Sequence, residues 1–363
     1  MGAQRSCPLR KDNLRARRIS EGRNSMYEKI VFVTRKTRLQ ELIERFNTKA
    51  QARFYIEHSG ANFSEYEEED AEYQRALDRI STAIDSTLNT QFIDRKFVPN
   101  FVFSAKDIVV ALGQDGLVAN VAKYAGAQPI IGVNPDPKRI DGVLVPVPVA
   151  QLSCAVDAIA TDKAQMSLVT LAEVKTNDGQ RLLAFNDLFI GAQTHISARY
   201  QLTYSSKSEE QSSSGIIVST GAGSTGWLSS MFNMMAGLAA FSGSSSSAPI
   251  EMQWGTPELI FVVREPFASK HSQTGIVAGY IDTAKSLRIE SRMPSAGTIF
   301  SDGVESDFIS FTSGMIATIR PAAEQARLYN PAKNNITLAK AQGTPSPAFL
   351  PPVTRDKSNL FKR

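Results

Sequence analysis

Residues 107–116 read DIVVALGQDG, and this stretch decides the fold class. Asp107–Leu112 is a short apolar run of strand length, and Gly113-Gln114-Asp115-Gly116 follows without a spacer. A short helix comes next and stops at Gly126, a residue suited to a left-handed helix end. Pro129–Asn134 (PIIGVN) is the next buried strand. Upstream, Glu28–Thr34 (EKIVFVT) is a strand, and Thr37 with Gln40 has the spacing of a capping box. That box opens a helix with Leu39, Leu42, Ile43 and Phe46 on one face. A second box, Ser64 with Glu67, opens a longer helix carrying Tyr73, Leu77, Ile80 and Ile84 at helical spacing. Strand, helix, helix, strand, glycine turn, helix, strand predicts an α/β unit with a parallel sheet.

Beyond about residue 145 the pattern changes. LAEVKT, RLLAFNDLFIG, SARYQLTY, GIIVST, LIFVV, GIVAGYI, SLRIESR and MIATIR are short, often alternating, and separated by turn residues, as in a β-rich domain. One helix interrupts them, with Leu228, Met231, Met235 and Leu238 on a face expected to be core. The predicted organisation is a basic tail over 1–25, an α/β nucleotide-binding unit over 26–145, a β-rich substrate unit over 146–320 and a disordered tail over 331–363. A length of 363 residues suits about two domains. Residues 242–247 (SGSSSS) read as a flexible loop.

Composition narrows the function. The chain is 42% hydrophobic and 21% charged, that of an ordinary globular protein. No run of about 18 apolar residues is present, so no membrane-spanning helix is expected. Two cysteines are too few for a disulfide framework, and the three histidines show no zinc-ligand spacing, so no protein metal ligands are assigned. The +4 charge is no sign of nucleic-acid binding: residues 1–25 hold seven basic against two acidic side chains, which leaves −1 on the rest. That Arg-rich lead fits a transit peptide, and its Met-Gly-x-x-x-Ser start fits a myristoylation pattern. An unstructured tail, or a true start at Met26, is the favoured reading because nothing apolar accompanies the charges, and a cytoplasmic location is expected.

Three glycine or polar sites carry the chemistry. Gly113–Gly116 lies beyond the carboxyl end of a strand, where open parallel sheets bind ligands. Its glycines allow backbone amides to approach phosphate, and Asp115 could accept a proton or help hold a metal; a plain turn with Asp115 as helix N-cap also fits. Ser219–Trp227 (STGAGSTGW) contains Gly221, Gly223 and Gly226 spaced as in the dinucleotide fingerprint. The context is wrong for it, being late in the chain and among hairpins, yet a hydroxyl-rich strand-to-helix turn still makes a polar ligand cradle. In AFNDLFIG, Asn186-Asp187 interrupts an apolar strand, as a strand start, a bulge or a clamp for ribose hydroxyls or an amide.

In this order the three sites resemble the NAD kinase family, which reads Gly-Gly-Asp-Gly after a strand, then Asn-Glu, then a Ser-Thr-x-x-Gly-Ser-Thr turn. The likeness is greatest to the branch containing mitochondrial-type NAD kinases. Shared features are Thr34-Arg35-Lys36-Thr37-Arg38, the run from Gly132 to Pro137 (GVNPDP), Gly221 with Trp227, Arg264-Glu265-Pro266, Asp302-Gly303 and Ser313-Gly314. The resemblance spans Tyr27 to Ile319 and implies a phosphofructokinase-like α/β domain followed by a β-sandwich-like domain. It implies transfer of the terminal phosphate of ATP to the 2′-hydroxyl of the adenosine ribose of NAD, with a divalent metal such as Mg²⁺. Asp115 matches the acid/base residue. Gly113, Gln114, Gly116 and Asn134 fall at the phosphate-binding positions. Asn186, Asp187, Thr220, Gly223, Ser224, Thr225 and Trp227 fall around the dinucleotide. The small-molecule partners would be NAD and ATP, in a homodimer or larger homo-oligomer.

The chain departs from the family at Gln114, in place of the second glycine, at Leu117, in place of the usual Thr, and at Asp187, in place of Glu. Two other functions compete: a kinase of the same superfamily acting on a sugar or lipid hydroxyl, and a non-catalytic NAD-binding or sensor module.

Overall fold

The computed structural model describes residues 26–83, 88–245 and 250–331. The tails expected over 1–25 and from 332, Ile84, and the serine loop from residue 246 lie outside the described residues. The strands are β1 (Lys29–Thr34), β2 (Asn89–Asp94), β3 (Asp107–Leu112), β4 (Pro129–Asn134), β5 (Val147–Pro148), β6 (Met166–Thr176), β7 (Arg181–Ala184), β8 (Asp187–Ala192) and β9 (Ala198–Tyr204). They continue with β10 (Lys207–Ser213), β11 (Ile216–Ser219), β12 (Leu259–Val263), β13 (Ala278–Ile281), β14 (Leu287–Ser291), β15 (Gly297–Ser301), β16 (Val304–Ser310) and β17 (Ile316–Tyr329). The α-helices are α1 (Arg38–Phe46), α2 (Lys49–His58), α3 (Ser64–Ala83), α4 (Asp115–Ala122), α5 (Leu152–Ala160) and α6 (Trp227–Phe241).

The expected α/β part is built on β2-β1-β3-β4, all parallel, with β3 between β1 and β4. Every residue of β3 and β4 is buried, and between Asp107 at the start of one and Asn134 at the end of the other both strands are apolar, as a parallel sheet with helices on both faces requires. Helix α4 packs Leu117, Val118 and Val121 on one face. Helix α3 (Tyr73, Ala76, Ile80) and α5 (Leu152, Val156, Ile159) cover the other.

The Thr37 capping box forms: its Oγ1 accepts from Gln40 N at 3.3 Å, and Gln40 Oε1 accepts from Thr37 N at 3.0 Å. The second box does not form. Asn62 Oδ1 takes the Ser64 amide (3.1 Å) and hydroxyl (2.8 Å), so Ser64 is already inside the helix. Helix α2 was not anticipated, because only Ala52 and Ile56 of its ten residues are buried and they leave little periodicity to read.

The β-rich part is two sheets face to face. One is fully antiparallel, in the order β13-β12-β11-β8-β15-β16. Its inner residues, among them Ile190, Val218, Phe261 and Ile299, meet Val174, Tyr200, Leu202, Ile289 and Ile319 of the facing sheet. That facing sheet is continuous with the parallel one through β17. Near its start β17 pairs antiparallel with β14 and β6; past a bulge between Pro321 and Gln325, Arg327 and Leu328 pair parallel with Pro129 and Ile130 of β4.

The Met-bearing face of α6 is not core. Only Leu228 is buried; Met235, Leu238 and Phe241 are exposed by 41%, 61% and 91%. The helix meets the fold at its first turn and then projects along the surface, so its apolar spacing did not report a buried face.

Candidate active site

A cleft of about 440 Å³ opens where the carboxyl end of β3 meets the β-sandwich. Asp115, Gly116, Val143 and Leu144 line one side; Phe185, Asn186, Asp187, Ala222, Gly223, Thr225 and Trp254 line the rest. A larger and more open depression, about 570 Å³, lies between α1 and α2, lined by Phe46, Phe54 and Tyr55 with Arg45 and Gln51. It holds no carboxylate or imidazole to move a proton, whereas Asp115 and Asp187 line the smaller cleft.

Asp115 is the first residue of α4, and Gln114 occupies the N-cap without a side-chain capping bond. The plain-turn reading, with Asp115 as cap, therefore does not apply. Asp115 Oδ1 instead accepts from the Leu144 amide at 2.9 Å, which fixes the carboxylate at the cleft wall. Gln114 has φ −113° and ψ 172°, extended backbone open to any residue, so this position does not require glycine. Its side chain is exposed. Gly113 is tightly packed: an added Cβ would come within 3.0 Å of the end of the Leu117 side chain, which would have to give by a few tenths of an ångström. Gly116 faces open space.

Asn134 ends β4, and its amide is used within its own loop, donating to Ile140 O (2.9 Å) and accepting from Asp136 N (3.0 Å).

The opposite wall is the segment between β7 and β8, clasped by the turn after β11. Thr220 Oγ1 donates to Phe185 O at 2.6 Å, and Thr220 N donates to Asn186 O at 2.9 Å. Ser224 Oγ donates to Gly221 O at 2.8 Å and accepts from Met252 N at 3.3 Å. Thr220 and Ser224 thus build the turn rather than line the cleft. Gly223 allows the close approach, since a Cβ there would lie 2.3 Å from Asn186 O. Strand β11 is antiparallel to both neighbours, so the dinucleotide fingerprint has no parallel βαβ unit around it. Trp227 stacks on Phe189 at 5.8 Å with Arg264 above it and is not among the lining residues, although its neighbour Gly226 is.

Of the twelve residues singled out in the sequence, the cleft gathers Asp115, Gly116, Asn186, Asp187, Gly223 and Thr225.

Asp187 opens β8, and its Oδ1 is buried without a hydrogen-bond partner. Burial pushes its carboxyl up to about 7; the Ser219 hydroxyl acts against that, and the neighbouring Asp302 adds to it. In the sequence Asp302 shows only as part of an Asp-Gly pair. With φ +54° and Gly303 at +68°, the pair forms the two-residue turn between β15 and β16, which favours Asp-Gly. The Asp302 carboxylate accepts from the amides of Phe185 (3.0 Å), Asn186 (2.6 Å) and Asp187 (3.2 Å). Burial raises its pKa, opposed first by Lys123 and then by those amides. Asp-Gly between two strands announces a hairpin, but nothing in the sequence says which backbone the carboxylate will hold. Arg35, against Gly113, pairs with Glu69 at 2.9 Å, and its Nε is buried without a partner.

Among the described residues no group of three His, Cys, Asp or Glu could hold a metal ion, and no helix is long and apolar enough to cross a membrane. No family model matches the chain. No curated protein matches it either. Among solved structures it is similar to a yeast NADH kinase complexed with NADH, at 13% identity over 88% of this chain and 90% of that one, with a TM-score of 0.48. It is also similar to an NAD kinase from Archaeoglobus fulgidus in complex with ATP, at 16% identity over 86% and 96% of the two chains, with a TM-score of 0.46.

Proposed function

We propose that the chain is an NAD kinase, transferring the terminal phosphoryl group of ATP to the 2′-hydroxyl of the adenosine ribose of NAD. One observation carries this reading. A single cleft sets Asp115, at the start of the helix that follows a parallel strand, against Asn186, Asp187 and the Ser/Thr turn, the three motifs whose sequence order resembles the family's.

Asp115, held by the Leu144 amide, is the group to orient the acceptor hydroxyl and take its proton. The acceptor's hydroxyl and amide groups would meet Asn186 and Asp187, which line the cleft. Phosphoryl transfer demands mostly positioning and charge neutralisation, so one held carboxylate and a glycine turn at a helix start suffice on the protein side. Mg²⁺ would be held chiefly by the substrate phosphates at this site, because Asp115 Oδ2 is the oxygen left to take the proton. When bound, it would neutralise charge on the donor phosphates. Self-association is expected, with the exposed face of α6 as available apolar surface.

The test is turnover of purified protein with ATP, Mg²⁺ and NAD, reading NADP through a dehydrogenase specific for it. The wild type should form NADP, and Asp115→Asn should lose about 10²–10⁴-fold in kcat. No NADP from the wild type would overturn the reading. Phosphorylation of a sugar or lipid, or NAD binding without turnover, would replace it with one of the competing functions.

A further inference from the structure

Lys123 follows α4 directly, and its side chain is 1% exposed. Nothing in the chemistry above uses it. Its Nζ donates to Ser301 Oγ at 2.7 Å and lies 3.4 Å from Asp307 Oδ2, to which the neighbouring Tyr124 hydroxyl also donates. Ser301 and Asp307 flank the Asp302-Gly303 turn, whose carboxylate grips the amides of residues 185–187. Helix α4 has eight residues, about 12 Å at 1.5 Å per residue. One short rigid rod thus carries Asp115 at its first position and, just past its last, the ammonium that holds the opposite wall. A buried, paired lysine costs desolvation that an apolar side chain would avoid, so its presence calls for a reason other than stability.

We propose that Lys123 is a positioning residue that sets the width of the cleft: through Ser301 and Asp307 it fixes the Asp302 turn, and with it the spacing between Asp115 and the Asn186–Asp187 wall. The geometric part stands without the kinase assignment; its effect on NAD affinity rests on that reading.

The experiment is residue-resolved amide hydrogen exchange on the full chain without nucleotide, comparing wild type, Lys123→Met and Ser301→Ala. In Lys123→Met the amides of Phe185, Asn186 and Asp187 should exchange about tenfold faster or more, while those of Ile108–Leu112 keep wild-type rates. Ser301→Ala removes one hydrogen bond and keeps both charges; it should show the same pattern more weakly, and it decides the matter if Lys123→Met does not fold. In an Asp302→Asn background, Lys123→Met should add little. Unchanged exchange at 185–187, an equal rise in both regions, or full additivity with Asp302→Asn would each overturn the proposal. In turnover, Lys123→Met should raise KM for NAD about tenfold with kcat held within a few-fold. A wild type that makes no NADP removes the kinase reading and leaves the exchange result to judge Lys123.

Discussion

Replacing Asp187 with asparagine removes a charge and leaves the shape nearly unchanged, so its effect on stability can be worked from the site. The carboxyl sits with Oδ1 buried and partner-free, and burial raises its pKa from the ordinary 3.8 to about 7. Between those two values the folded protein keeps the proton and the unfolded chain has released it. Wild-type stability therefore falls as pH rises through that window, by about 1.4 kcal/mol per pH unit. The loss is on the order of 4 kcal/mol and is complete above about pH 7. Solvent at the outer edge of the carboxyl makes this an upper value. Asp302 also titrates high, but it is present in both proteins and largely cancels in the difference. Urea unfolding of ligand-free wild type and Asp187→Asn at half-unit steps from pH 5 to 9 is the assay. The variant should lead by only about 1–2 kcal/mol at pH 5 and by several kcal/mol at pH 8–9, while losing NAD affinity. Parallel stability curves across this range would refute the account of Asp187 as a buried, uncompensated carboxylate.

Other substitutions test other parts of the cleft. Gly132→Ala would put a Cβ 1.9 Å from Leu144 O; about 1–3 kcal/mol of stability should be lost, together with the Leu144 amide's hold on Asp115, and denaturation beside turnover would show both. Gly223→Ala forces the turn off Asn186 O and should weaken NAD binding at least tenfold in a titration, with a smaller effect on stability. Gln114→Gly should leave turnover within a few-fold and lower stability by about 0.4–1 kcal/mol, because extended backbone gains nothing from glycine. Thr37→Ala removes both the α1 cap and a 2.6 Å bond to Asp70, and should cost about 1–2 kcal/mol in unfolding without changing KM.

The α/β half was legible because β1, β3 and β4 have continuous apolar cores and its first cap obeys a local rule that Thr37 and Gln40 satisfy between themselves. Asp115 was legible for a similar reason: strand, tight turn and helix start are adjacent in the chain. The opposite wall was harder. Asn186 and Asp187 stood out as polar residues in an apolar strand, but Lys123 and Asp302, 179 positions apart in number, meet only through tertiary packing. Helix α6 misled for the opposite reason, since helical spacing of Met and Leu reports a face and not what covers it. Helix α2 has too few buried positions for a period to show.

The bulged strand β17 has a consequence for synthesis. Until residues 327 and 328 have left the ribosome, the nascent parallel sheet lacks the partner that pairs with Pro129 and Ile130, and β6 lacks the strand that runs along nearly its whole length. Both halves therefore wait with unsatisfied edges for one late segment, the situation in which non-local pairing is slow and aggregation competes. A fragment ending before Ile316 should fail in both halves at once, and expression at low temperature or with chaperones should favour the intact chain.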